Sequence, residues 1–262
     1  VRKVPALQRA VAILDMVTAA PEPIKVAELA AALAIPRNSA YELVGTLADA
    51  RLVNVLDGGT LVPGPRLLEW GSAYARGIDL VSEAAALAGG FARRADSTVH
   101  VARLDGEDVV YLVKEEGSQH IRMGSEVGGR VPAHATGVGK AILGALPPEE
   151  LSAFLRRSPL DRLTPSTIVD ADLLRADIAS VARLGVAYDR EESSRDVCCV
   201  ASPVRDSNGT VVAGISISTL ANRMTPETEE RLSVLVVEAA RELSSRLGYV
   251  SPGEIHDEGN EQ

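Results

Sequence analysis

The segment Thr136-Gly137-Val138-Gly139-Lys140 places two glycines and a lysine where a helix is predicted to begin. A helix start exposes unpaired N–H groups, and small side chains leave room for a carboxylate or phosphate to reach them. A capped helix with glycines for close packing explains the same residues. It is not a Walker A loop, because His134 stands where that loop needs glycine and Ala141 where it needs Ser or Thr. Ser216 and Ser218 lie two apart on a predicted strand, so their hydroxyls share one side, most simply a solvent-facing one. Asp189 and Cys199 end one apolar strand and begin another, and separately read as a surface acid and a buried small residue. His100, His134, Cys198, Cys199, Asp189 and Asp196 include the types of a Cys-His-Asp nucleophilic site, but no local motif assembles them. The four histidines show no ligand spacing, so neither metal nor cofactor is expected. Adjacent Cys198 and Cys199 are poorly placed for a disulfide, which suits a reduced compartment.

A second group of residues points to nucleic acid. In residues 26 to 47, Val26, Leu29, Ala30 and Leu33 share one helix face, Pro36 ends that run, and Ala40, Leu43, Val44 and Leu47 repeat the pattern. Two short helices joined by a tight turn form a helix-turn-helix, whose second helix meets base edges with its first residues. Arg37, Asn38 and Ser39 stand there, with Tyr41 and Glu42 on the outward side. Apolar runs at 52–56 and 60–62 around Asp57-Gly58-Gly59 predict a hairpin, hence a wing. A helix carrying Leu7, Val11, Leu14 and Val17 would cover the pair.

The 262-residue chain allows two domains. Its net charge of -9 is uneven: residues 1–66 carry +1 and the rest -10. So weakly basic a head needs two copies to hold DNA, which predicts a homodimer or tetramer on an approximately palindromic operator. No uninterrupted apolar run approaches a membrane span and no export signal is read, so a cytoplasmic protein is expected. Pro63-Gly64-Pro65 breaks the chain before helix-like stretches at 66–76 and 80–94. Beyond these, strands are predicted at 98–104, 109–114, 121–123, 186–190, 199–204 and 211–218, and helices at 137–145, 148–157, 170–184 and 226–247. Hairpin-linked strands with helices between them define an α+β domain with a largely antiparallel sheet. The expected divisions are a head at 1–64, a linker helix at 65–78, a body at 79–250 and an acidic, disordered tail at 251–262.

In order and spacing, LQRAVAILDMV, LAAALAIPRNSAYELVGTL, GPRLLEWG, GGRVPAHATGVGKAIL, GVAYDREE and CVASPVRDSNGTVVAGISIS resemble the isocitrate lyase regulator (IclR) family of bacterial transcription factors. The resemblance implies a winged helix-turn-helix joined by a linker helix to a GAF-like effector-binding domain, in dimers or tetramers on operator DNA; repression is favoured over activation, with both left open. It also implies a pocket for a small carboxylate that uses the backbone N–H groups of Gly137 and Val138 and the side chains of Asp189, Cys199, Ser216 and Ser218. Met123 and Thr136 are further effector-binding candidates, and an ionised Asp189, which must accept a hydrogen bond, favours a hydroxy or phenolic acid. Two departures stand out. The wing, residues 57–65, has neither the basic residue nor the tyrosine often found there, and the loop at 193–197 lacks a glycine. A signalling module acting on protein partners and a cysteine-dependent enzyme are the alternative readings.

Overall fold

The computed structural model describes residues 4–77, 79–117 and 125–251, which belong to two units, Val1–Gly77 and Ile78–Gln262. In the first, α1 (Pro5–Ala19) precedes a two-residue strand β1 (Ile24–Lys25), then α2 (Val26–Ala32) and α3 (Arg37–Asp49). The hairpin β2 (Val53–Val55) and β3 (Thr60–Pro63) follows, with α4 (Pro65–Gly77) last. α2 stops at Ala32, four residues before Pro36, because Ala34 takes a left-handed conformation. Pro36 caps α3 and does not itself end α2. β1 adds a strand that periodicity missed: Ile24 and Lys25 pair with Leu61 and Thr60, making a three-stranded sheet ordered β1-β3-β2.

Ile13, Leu29, Ala40 and Leu61 are almost wholly buried where the three helices meet the hairpin. Burying a side chain as large as isoleucine or leucine contributes about 2 kcal/mol, so this small core is the main support of the unit. α1 departs from expectation. Its buried residues are Ile13 and Val17, whereas Leu7 is 64% exposed and Val11 49% exposed. Gly64 joins β3 to α4 where any Cβ would strike the Arg51 carbonyl, so only glycine fits.

The second unit begins with α5 (Leu80–Ala95), capped by Asp79, whose carboxylate accepts from the Val81 N–H. Strands β4 (Thr98–Asp105), β5 (Asp108–Glu115) and β6 (Arg130–Pro132) come next, then α6 (Gly137–Ala145), α7 (Pro148–Arg157) and α8 (Ala171–Leu184). β7 (Ala187–Arg190), β8 (Val197–Arg205), β9 (Val211–Leu220) and α9 (Pro226–Arg246) complete it. The six strands form one antiparallel sheet ordered β6-β5-β4-β9-β8-β7.

Period-two alternation divides the sheet into unlike faces. Val99, Val101, Val200, Ile215 and Ile217 pack in one core with α5 and α9. Their alternates Ala102 and Ala201 pack in another with α6, α7 and α8. The small residues on that second face let α6 approach closely, and His100, Ser216 and Ser218 alternate onto the same side. The expected strand at 121–123, Met123 and the tail from 252 lie outside the described residues. Among the described residues, no helix is long and apolar enough to cross a membrane.

Candidate functional site

In the first unit, α3 presents Arg37, Asn38, Tyr41 and Glu42 to solvent, with Ser39 half-buried beside them. Ala40, Val44 and Leu47 bind the opposite side of that helix to the core, which fixes the outward set. Tyr41 is 58% exposed. The wing tip turns at Gly58 and Gly59, both at positive φ, and Gly59 N–H donates to the Leu56 carbonyl.

In the second unit, a cavity of about 250 Å³ lies among β4, β5, β8, β9 and the loop after β7. Its wall includes His100, Tyr111, Ser125, Ser193, Cys199 and Ser218. Cys199 and Ser218 face each other in strand register, and the Cys199 thiol lies 3.1 Å from the Ser218 hydroxyl. Ser218 Oγ lies 3.4 Å from His100 Nδ1, while His100 Nε2 lies 2.8 Å from Ser125 Oγ. A thiol donating to Ser218, Ser218 donating to Nδ1, and Nε2–H donating to Ser125 give one self-consistent proton order.

Asp189 is buried, not the surface acid expected from its strand end. It sits across from Cys199 in register, behind the cavity wall. Its carboxylate accepts from the Ser193 hydroxyl at 2.6 Å and from the Glu192 N–H at 2.7 Å. Burial pushes the Asp189 pKa up to about 6, against the pull of those two donors. Burial likewise lowers the His100 pKa to about 4, helped by the positive charge of Lys114.

The remaining expected residues are close by but differently employed. Thr136 Oγ1 accepts from Gly139 N–H as the cap of α6, so that oxygen is already engaged. Gly137 packs against β7 and β8: a Cβ there would come within 3.2 Å of Cys199 Cβ and 3.6 Å of Asp189 Cβ. Val138 puts its side chain in the core. What these two offer is their backbone N–H groups, the first two of α6, which no intrahelical bond reaches. Ser216 is buried on the cavity side of β9, paired with His100 and Ala201, and does not line the cavity. The solvent-facing explanation for both serines therefore fails.

Tyr111, Ser125, Ser193 and the place of His100 on the cavity wall escaped sequence reasoning. Only the alternation of Thr98, His100 and Ala102 hinted at His100, and its face depended on the register with Ser216.

His100, Cys199 and Asp189 do meet in one network, but not as a nucleophilic site. Ser218 stands between thiol and imidazole, and burial beside Asp189 raises the Cys199 pKa well above its ordinary value, so the thiol stays protonated. His134 lies apart, bonded to the Asp161 carbonyl, and Asp196 is exposed.

A winged helix-turn-helix unit followed by a sheet unit with a small, partly open cavity is the build of a ligand-responsive transcriptional regulator. Residues 6–56 match the IclR helix-turn-helix domain, and residues 72–245 match the bacterial transcriptional regulator IclR C-terminal domain. The chain belongs to the IclR family of bacterial transcriptional regulators. It is 35% identical over 257 residues to the HTH-type transcriptional repressor AllR of Klebsiella pneumoniae, covering 93% of this chain and 90% of that protein. The Escherichia coli AllR is 32% identical over the same shares. Among solved structures, Agobacterium tumefaciens repressor BlcR superposes with a TM-score of 0.80 at 30% identity, covering 94% of this chain and 98% of that one. Thermotoga maritima IclR gives 0.63 at 34% identity, covering 93% and 98%.

Proposed function

We propose that this regulator is a repressor whose grip on operator DNA changes when a small organic acid occupies the cavity beside Cys199 and Ser218. The observation that carries this is the cavity itself: a partly open space lined by neutral hydrogen-bonding groups together with Val131 and Val197, with Gly137 at the start of α6 packed against Cys199 of its wall. Repression is supported by the similar proteins AllR and BlcR, both repressors. In this reading residues 1–64 are the DNA-reading head, 65–78 the connector and 79–250 the GAF-like effector domain. Arg37, Asn38, Ser39, Tyr41 and Glu42 face the DNA. The effector is a carboxylate, a hydroxy or phenolic acid in particular, whose anionic group meets the Gly137 and Val138 N–H groups, where the helix dipole favours negative charge.

The acting species is a homodimer or tetramer in the cytoplasm. Exposed Val4, just before α1, and Leu7 and Val11 on it are apolar, and Leu68 and Trp70 stand exposed on α4, so the first unit has apolar surface for a second copy. Paired heads fit an approximate palindrome with half-sites about 10 base pairs, or a multiple, apart. Ligand and DNA are coupled only as far as the ligand favours one arrangement of the heads. The test is a thermal-shift screen of small organic acids, followed by anisotropy with selected operator DNA. A hit at about 100 times its Kd should stabilise by about 2.7 kcal/mol and change DNA affinity. Stabilisation with no change in DNA affinity would reject the regulatory reading.

A further inference from the structure

Within the effector reading, on which this inference rests, one polar group of the cavity wall stands apart. The hydroxyls of Ser125, Ser193 and Ser218, the Cys199 thiol and the His100 ring each have a hydrogen-bond partner within the chain. The Tyr111 hydroxyl has none among the described residues, although the residue lies on the cavity wall. Its ring is held in place by β5 and by the His100 ring, whose centroid is 5.0 Å away at 45°. The hydroxyl therefore has a fixed position and unspent donor and acceptor capacity. We propose that Tyr111 is the specificity-determining residue of the cavity, and that it reads an uncharged oxygen of the effector, a hydroxyl or carbonyl separate from the carboxylate.

Charge argues for the uncharged oxygen. Among the described residues of the wall, no side chain is formally charged at neutral pH. The nearby ammonium of Lys114 donates to the Ser125 carbonyl at 3.0 Å and pairs with Glu116 at 3.1 Å. Asp189 lies directly behind the wall and, when ionised, would repel a second anionic group. Burial raises the Tyr111 pKa above its ordinary value, so the phenol keeps its proton and can donate. Size agrees: about 250 Å³ holds roughly eight water-sized groups at about 30 Å³ each, enough for a small acid with one further substituent. A buried group built to bond an oxygen discriminates strongly against the analogue lacking it, because the group is then left unpaired.

The experiment is calorimetric titration of the full chain and of Tyr111→Phe with propanoate, 3-hydroxypropanoate and malonate, and with the same trio lengthened by one and two methylenes. Within each trio only the distal group changes, from methyl to hydroxymethyl to carboxylate. The wild type is expected to bind the hydroxy acid about tenfold tighter than the plain acid, with the diacid weakest. Tyr111→Phe, which keeps the ring on His100, should bind the plain acid like wild type and lose the preference. A hydroxyl preference that survives in Tyr111→Phe, or a wild type that binds the acids without preference, overturns the role of Tyr111 while leaving the effector site standing. If no trio binds at all, the carboxylate reading of the cavity falls, and the role of Tyr111 with it. Should Tyr111→Phe not fold by thermal unfolding, the wild-type ranking of the three acids decides alone.

Discussion

The ammonium of Lys140, wholly shut off from solvent, lies 2.6 Å from Glu192 Oε1 and 2.8 Å from Asp177 Oδ2. This pair ties the middle of α6 to the loop after β7 and to α8. The same loop sets Ser193 on Asp189 and on the cavity wall, so the ion pair and the cavity share one support. Thr164 and Thr167 hold the loop from the other side through the Glu191 and Glu192 carbonyls.

Removing one partner of a buried pair strands the other charge, which commonly costs about 3 to 5 kcal/mol. Lys140→Met should therefore lower the stability of the second unit by about 3 kcal/mol in urea unfolding. Adding Glu192→Gln should recover part of that loss, because the more deeply buried of the two stranded carboxylates is gone. A double variant no more stable than Lys140→Met would show that the single replacement acts through packing instead of charge.

Two buried groups oppose each other in their dependence on pH. Asp189 has its folded pKa raised from 3.8 to about 6, so its stabilising contribution is full below about 4 and is lost as pH rises through about 6. His100 has its folded pKa lowered from 6.5 to about 4, so its contribution is full above about 6.5 and is lost as pH falls through about 4. Each is worth about 3 kcal/mol, and in the wild type they largely cancel between pH 4 and 6.5. Asp189→Asn should leave a stability that rises with pH across that window, and His100→Gln one that falls. Denaturant unfolding of both variants at several pH values checks this; parallel curves for the two would contradict it.

On the DNA side, Arg37→Ala and Asn38→Ala should each weaken operator binding about tenfold, since a good base contact is worth about 1 to 3 kcal/mol. Both side chains are exposed, so the unfolding temperature should hardly move. Fluorescence anisotropy at fixed salt measures the effect. Unchanged affinity in both variants would mean that α3 does not face the bases.

Ser218 and Ser216 should behave differently although they are two residues apart. Ser218→Ala removes a wall group that also bridges Cys199 to His100, and should weaken the acid found in screening about tenfold. Ser216→Ala removes a hydroxyl that lies off the wall and should change acid affinity less than threefold, an expectation of about half a kcal/mol. DNA binding without effector should be kept by both. Equal losses in the two variants would place the bound acid deeper, against Ser216.

The sequence alone settled what is local. The i, i+3, i+4 spacing on either side of Pro36 determined α2 and α3 and put Arg37, Asn38, Tyr41 and Glu42 outward, because a helix fixes its faces within a few residues. Turn residues at 57–59, 105–106 and 206–209 likewise marked the hairpins. Strand partners distant in the chain were not legible, and the cavity depends on them. His100 meets Ser218 across 118 positions of sequence, and the registers of β4 with β9, β9 with β8 and β8 with β7 decided that His100, Cys199 and Asp189 share a face. Two-residue β1 was too short to show a period, and its strand character comes only from pairing with β3. Burial of Asp189 and Lys140 was also invisible: charged residues read as surface until a loop folds over them, and only the folded loop after β7 sets Ser193 to donate to Asp189 and Glu192 to accept from Lys140.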